Sequence, residues 1–232
     1  MPVYALGKEA AFPHPHLARR DGLLAIGGDL SPRRLLNAYC MGIFPWYSEG
    51  EPILWWCPDP RLVVDPGNVH VARSLGKLLR QRRFTVTYDT AFERVIRACA
   101  TVRTREGRGT WLLPEMVEAY CRLHRMGFAH SVEAWAGTEL AGGLYGVALG
   151  RGFFGESMFY RESNASKVAF VTLARFLADQ GYQFIDCQMT TGHLLRLGAR
   201  EVPRHEFLDM LKRALSAPTQ RGRWTSNSPL KN

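Results

Sequence analysis

Cysteine is sparse in this sequence, and what there is lies scattered. Cys40, Cys57, Cys99, Cys121 and Cys187 are odd in number and show no C-x-x-C spacing. That argues against a zinc site or a disulfide framework and fits a reducing cytoplasm. Long apolar runs are also missing. The longest charge-free one, "LAGGLYGVALG", is too short and too glycine-rich to span a bilayer. The opening "MPVYALGKEAAFPHPH" has no apolar signal-peptide core. A soluble cytoplasmic protein with no membrane partner is expected. There is no internal repeat and no low-complexity tract. No serine sits in a G-x-S-x-G elbow, and "HPH" and "HLARRDG" lack metal-ligand spacing. His124, His130 and His193 fall on different predicted elements. With no triad and no metal expected, the chemistry left to the chain is the binding and orienting of reactants.

What is abundant is positive charge. The 232 residues carry a formal net charge of +9 with a pI near 9.6, which favours a polyanionic partner, nucleic acid or an anionic surface. Residues 70 to 108 hold ten Lys or Arg against three Asp or Glu. In "HVARSLGKLLRQRRF", Val71, Leu75, Leu78 and Leu79 form an apolar helical stripe. Arg73, Lys77 and Arg80 fall on another face, and Arg82 and Arg83 extend it. The stretch reads either as a solvated helix face or as a phosphate-binding one.

The element pattern changes near residue 65. Before it the chain is rich in Pro and Gly, with one clear helix that Ser31 caps, Pro32 starts and Gly42 stops. After it come strand, helix, helix, three antiparallel strands turning at Gly137, a long helix capped by Asn164, the strand "QFIDCQM", a short helix, a short strand and a last helix. The tail from about residue 217, "SAPTQRGRWTSNSPLKN", is expected to be flexible. The spacing thus predicts a small N-terminal domain over 1–65 and a larger α/β (α+β) domain over 66–232. The order of elements in the second resembles the GNAT acyltransferase core. The Gln or Arg followed by x-x-G-x-G/A that binds acyl-CoA is absent; "MFYRESNASK" stands in its place.

Several residues are candidates for chemistry. Trp46, Trp55 and Trp56 crowd into one proline-rich stretch; each is either core or a stacking platform for a base. Trp111 and Tyr120 form a second aromatic pair beside the basic segment. In "FFGESMF", period-2 alternation puts Phe154, Glu156 and Met158 on one strand face, where a carboxylate needs a partner. In "QFIDCQM", the same alternation puts Phe184, Asp186 and Gln188 on one face and Ile185, Cys187 and Met189 on the other. Cys187 is then core, and Asp186 and Gln188 form a side-by-side polar pair.

Stretches including "GIFPWYSEGEPILWWCPDPR", "GTWL", "EAYCRLH", "HSVEAW", "GESMF", "NASK" and "IDCQ" closely resemble the leucyl/phenylalanyl-tRNA–protein transferase family, from about Phe12 to residue 204. The resemblance implies transfer of Leu or Phe, and less readily Met, from aminoacyl-tRNA to the α-amine of proteins beginning with Arg or Lys, in the bacterial N-degron pathway. It implies no cofactor, and a monomer is expected. It assigns Asp186 and Gln188 to catalysis, with Asp186 fixing the Gln188 side chain and either taking a proton or only holding it. Leu144, Phe153, Met158, Leu173 and Leu177 become candidates for the aminoacyl pocket, with Glu156 as a contact for the acceptor or the bound amino acid. Trp46 and Trp111, with Tyr120 nearby, become candidates for the 3′-terminal adenosine. Arg73, Lys77, Arg80, Arg82 and Arg83 become candidates for the tRNA backbone. An acyl-CoA-dependent N-acetyltransferase and a non-catalytic RNA-binding module are the alternative readings.

Overall fold

The computed structural model describes residues 2–105 and 112–225. The N-terminal unit is a four-stranded sheet built from β1 (Tyr4–Leu6), β2 (Leu23–Gly27), β3 (Phe44–Pro45) and β4 (Leu54–Trp56), in the order β1-β2-β4-β3. Helix α1 (Pro32–Cys40) packs beside it. Its start is set as the sequence predicts: Ser31 Oγ accepts from the Arg34 amide, and Pro32 occupies the first turn.

The larger sheet has seven strands. They are β5 (Arg61–Val64), β6 (Thr85–Tyr88), β7 (Ala129–Ala136), β8 (Glu139–Leu149), β9 (Gly152–Tyr160), β10 (Phe184–Gln188) and β11 (Arg200–Val202), ordered β11-β5-β10-β9-β8-β7-β6. β6 through β9 form an antiparallel meander, and the β7–β8 turn is made at Gly137, whose φ of +59 suits glycine. β9 and β10 are parallel, joined by a crossover through α5 (Ala165–Asp179). The expected mixed α/β core with a smaller N-terminal unit is therefore present. β5 lies before the boundary expected at residue 65, yet it is a strand of the larger sheet, between β10 and β11.

Helices cover both faces. On one lie α3 (Phe92–Arg105), α4 (Pro114–Arg125) and α7 (Arg204–Leu215), sharing a core with the N-terminal unit. On the other lie α2 (Arg73–Arg80) and α5. The short α6 (Gly192–Leu195) follows β10. Asn164 does not cap α5 with its side chain. It sits at φ +70, and its Oδ1 accepts from Lys167 Nζ. No helix among the described residues is long and apolar enough to cross a membrane.

Strand register shifts at several places among the described residues, and two of the shifts bear on the site. β9 carries an extra residue, Glu156, because Ser157 pairs with Tyr145 while Gly155 pairs with Gly146. Phe154 therefore joins the α3–α4–α7 core and Met158 the α5 core, instead of sharing a face. β10 carries an extra residue at Cys187: Asp186 lies opposite Val63, and Gln188 lies opposite Leu62. Val63 and Leu62 belong to opposite cores, so the expected common face of Asp186 and Gln188 is also corrected. A bulge adds one residue to one strand and rotates everything beyond it.

Within the tail expected to be flexible, residues 217–225 are anchored to the body at Trp224, while Arg221, Gly222, Arg223 and Thr225 are exposed. Trp224 is buried, its amide donates to Asp89 Oδ2 at 2.7 Å, and both Arg223 Nε and Nη2 donate to the Asp89 carbonyl.

Asp186 is fully buried and paired with fully buried Arg61 on β5: Nε to Oδ1 is 2.8 Å and Nη2 to Oδ2 is 2.7 Å. The guanidinium lies 4.9 Å from the Phe44 ring and 4.5 Å from the Phe207 ring. Removing either charge strands the other in a low-dielectric interior. Arg61→Met should lower the unfolding free energy by about 3–5 kcal/mol, seen as a lower urea midpoint; an unshifted midpoint would deny the pair a structural role.

Candidate active site

β9 and β10 pair only from Phe184↔Gly152 to Asp186↔Phe154. Beyond that β9 continues to Tyr160 against β8 alone. The gap opens a cavity of about 520 Å³. Its apolar wall faces α5 and is formed by Leu144, Phe153, Met158, Phe170, Leu173 and Ile185. Glu156 and Gln188 line it from the two bulges, and Trp46 lies at its N-terminal edge.

Glu156 is the electrostatic centre. Its Oε1 accepts from Tyr39 Oη at 2.7 Å and from Gln188 Nε2 at 2.9 Å, and its Oε2 accepts from Tyr120 Oη at 2.8 Å. The two tyrosine oxygens also approach each other to 2.5 Å. Two phenolic protons satisfy only two of the three contacts among these groups; the third needs a proton on Glu156. Burial pushes the Glu156 carboxyl up to about 7 and the Asp186 charge adds to the rise, while the hydrogen bonds from Tyr39, Tyr120 and Gln188 oppose it. Burial also holds the Tyr39 and Tyr120 hydroxyls well above their ordinary range, reinforced by the Glu156 charge.

The expected side-chain pairing of Asp186 with Gln188 is not found. Asp186 Oδ1 accepts from the backbone amide of Gln188 at 2.9 Å, and both its oxygens are engaged by Arg61. It thereby holds Gln188 at a φ of +63, a conformation that non-glycine residues seldom adopt. The Gln188 side chain turns instead to Glu156, leaving its carbonyl oxygen as the free end of the amide.

Of the aminoacyl-pocket candidates, Leu144, Phe153, Met158 and Leu173 line the cavity. Leu177 does not; it is fully buried behind the wall. Cys187, expected in the core, is only half-buried and lines the cavity, because the bulge leaves it unpaired. Trp46 is 38% exposed, its ring 5.9 Å from that of Trp56, whose Nε1 donates to the Trp46 carbonyl. Trp55 is core. Tyr120 is fully buried in the Glu156 network, so it presents no ring to a base. Trp111 lies outside the described residues.

On α2, Leu75 is buried against the α5 core, while Arg73, Lys77 and Arg80, and Arg82 and Arg83 just beyond the helix, are exposed. Arg83 pairs with Glu162 at 3.1 Å. A second basic group, missed from the sequence, gathers around His193. His193 lines the opening, and burial together with the nearby charges of Lys167 and Arg196 lowers its pKa. Their spacing, on two helices separated by β10, offers no periodic signal. Tyr39 and Arg61 were also missed, since each acts through a contact more than a hundred residues away in sequence.

Residues 63–212 match the family described as leucyl/phenylalanyl-tRNA protein transferase, and residues 28–59 match its N-terminal domain. A curated leucyl/phenylalanyl-tRNA–protein transferase from Desulfatibacillum aliphaticivorans is 66% identical over 98% of each chain. One from Anaeromyxobacter sp. (strain Fw109-5) is 61% identical over 97% of this chain and 95% of its own. A solved aminoglycoside acetyltransferase from a soil metagenomic sample aligns with a TM-score of 0.39 at 11% identity, over 64% of this chain and 99% of that one. With matches that span both units and enclose both bulges of the cavity, the chain belongs to the leucyl/phenylalanyl-tRNA–protein transferase family.

Proposed function

We propose that this chain transfers Leu or Phe, and less readily Met, from aminoacyl-tRNA to the N-terminal α-amine of proteins beginning with Arg or Lys. This marks them for N-degron degradation, and the chain acts as a cytoplasmic monomer. The observation that carries the reading is the junction of an apolar cavity with the Glu156–Gln188 pair in the β9–β10 gap. An aminoacyl ester offers a hydrophobic side chain and an activated carbonyl, and the cavity offers one wall suited to each.

The amine arrives largely as ammonium, with an ordinary pKa of about 8. Glu156, poised at about 7, takes one proton. The one-unit gap costs about 1.4 kcal/mol. The neutral amine then donates to the Gln188 carbonyl oxygen and attacks the ester carbon. The carbon–oxygen bond to the ribose breaks, and the second amine proton passes to the departing ribose oxygen. Because Arg61 and the Gln188 amide engage Asp186, we assign Asp186 to positioning Gln188 and not to proton transfer. Trp46 supplies a stacking face for the terminal adenine. Lys167, His193 and Arg196 contact phosphates of the 3′ end, and the α2 cations contact the acceptor stem without reading sequence.

Mixing Leu-tRNA with a peptide beginning in Arg should give the Leu-extended peptide; no transfer by folded protein would sink the proposal. The pH profile of kcat/KM tests Glu156. It should rise through about 7 as Glu156 ionises and stop rising above about 8, where the amine arrives already neutral and needs no base. In Glu156→Gln the limb near 7 should vanish and kcat should fall about 10²–10⁴-fold; a retained limb would assign it to another group. Replacing both Lys77 and Arg80 by Ala should weaken tRNA binding and flatten the log–log salt slope by about two. An unaltered slope would return α2 to the role of a solvated face.

A further inference from the structure

The aminoacyl wall is itself supported from behind by a residue that neither the sequence pattern nor the site assignment singles out. Phe153 has its ring over Gly146, where an added Cβ would fall 2.5 Å from Cζ and 2.2 Å from the Phe154 carbonyl oxygen. The ring cannot move closer to the sheet. On another side it meets Trp224 at 5.8 Å between centroids. Trp224 also packs 5.0 Å from Phe176 of α5 and stacks on His130 at 3.9 Å with the rings 3° apart. The tail therefore wedges one indole between β9 and α5, the two elements that supply Phe153 and Leu173 to the cavity.

The wedge is latched. Asp89 Oδ2 accepts from the Trp224 amide at 2.7 Å and contacts His130 Nδ1 at 2.8 Å, and Asp89 Oδ1 accepts from the Ser131 amide. Arg223 clamps the Asp89 carbonyl. Four groups thus hold a single tail residue in register behind Phe153.

We propose that Trp224 is a specificity-determining residue that sets the depth of the aminoacyl cavity, and with it the preference among Leu, Phe and Met. The inference rests on the aminoacyl-transfer reading above. With the indole in place Phe153 cannot retreat, which fixes how far the cavity reaches on that side. With a smaller residue there, Phe153 can move back and a longer or wider side chain gains room. Discrimination by one or two methylenes in an apolar pocket is modest, so the effect should be a shift in ratio and not a switch.

The test is a competition among Leu-tRNA, Phe-tRNA and Met-tRNA for one acceptor peptide, with the unsubstituted chain, Trp224→Phe and Trp224→Ala. In Trp224→Ala the ratio of kcat/KM for Phe over Leu should rise about tenfold, and Trp224→Phe should fall between. A purely structural role would lower all three rates together and leave the ratio unchanged in both variants, which overturns the proposal. If Trp224→Ala shows no cooperative unfolding transition, Trp224→Phe decides alone: a ratio moved toward Phe supports the proposal, and an unmoved ratio overturns it. Absence of transfer by the unsubstituted chain would overturn the function itself and this inference with it; transfer with unmoved ratios would overturn only the inference.

Discussion

The buried ion pair between Arg61 and Asp186 is the constraint on which the rest depends. It ties β5 to β10 in the middle of the large sheet, and it does so between Phe44 of the N-terminal unit and Phe207 of α7. A carboxylate with no surface exposure is tolerable only when its lone pairs are filled, and here the guanidinium fork and one backbone amide fill them. That amide belongs to Gln188. The same pair therefore joins the two units and fixes the backbone of a residue in the cavity wall. A hydrophobic substitute could match the packing, but it could not hold the Gln188 amide.

From this anchor the site is built by displacement from regular strand geometry. β9 and β10 each carry one extra residue at the level where they part. The bulges bring a carboxylate from one strand and an amide from the other to 2.9 Å across the gap, which plain alternation would not do. The cost of burying Glu156 is met partly by Tyr39 and Tyr120, one from each side of the sequence boundary between units. The network leaves Glu156 titrating near neutrality, the range in which a carboxylate can exchange protons with an amine. The N-terminal unit thus contributes Tyr39 to the Glu156 network as well as Trp46 to the outer wall.

Much of this was legible in the sequence. The helices came from apolar periodicity and capping residues, as with Ser31 and Pro32. The meander came from three apolar runs around Gly137. Glu156 and Gln188 stood out because polar residues in apolar strands demand a reason, whereas Phe153 and Met158 came from the family resemblance. What was not legible has a common cause. Period-2 reasoning has no way to sense a bulge, so Phe154 and Met158 were assigned one face, Asp186 was paired with the wrong group of Gln188, and Cys187 was assigned to the core. Contacts spanning more than a hundred residues, such as Tyr39 to Glu156 and Arg61 to Asp186, leave no local pattern at all. The tail was expected to be loose because it is terminal, although a lone tryptophan in such a segment is a signal that something is buried.

The two faces of the sheet carry different tasks. The α5 face holds the apolar wall of the cavity and stops it with the tail. The opposite face holds every buried charge of the site, Arg61, Asp186 and Glu156, together with the tyrosines. An aminoacyl ester must present its side chain to one environment and its carbonyl to the other. In an unbroken sheet these environments would be separated by a layer of backbone. The gap between β9 and β10 is the place where they touch, and its edges are the two bulges. This geometry explains why the polar residues of the site had to depart from strand periodicity: residues that obeyed it would have pointed wholly into one core or wholly into the other.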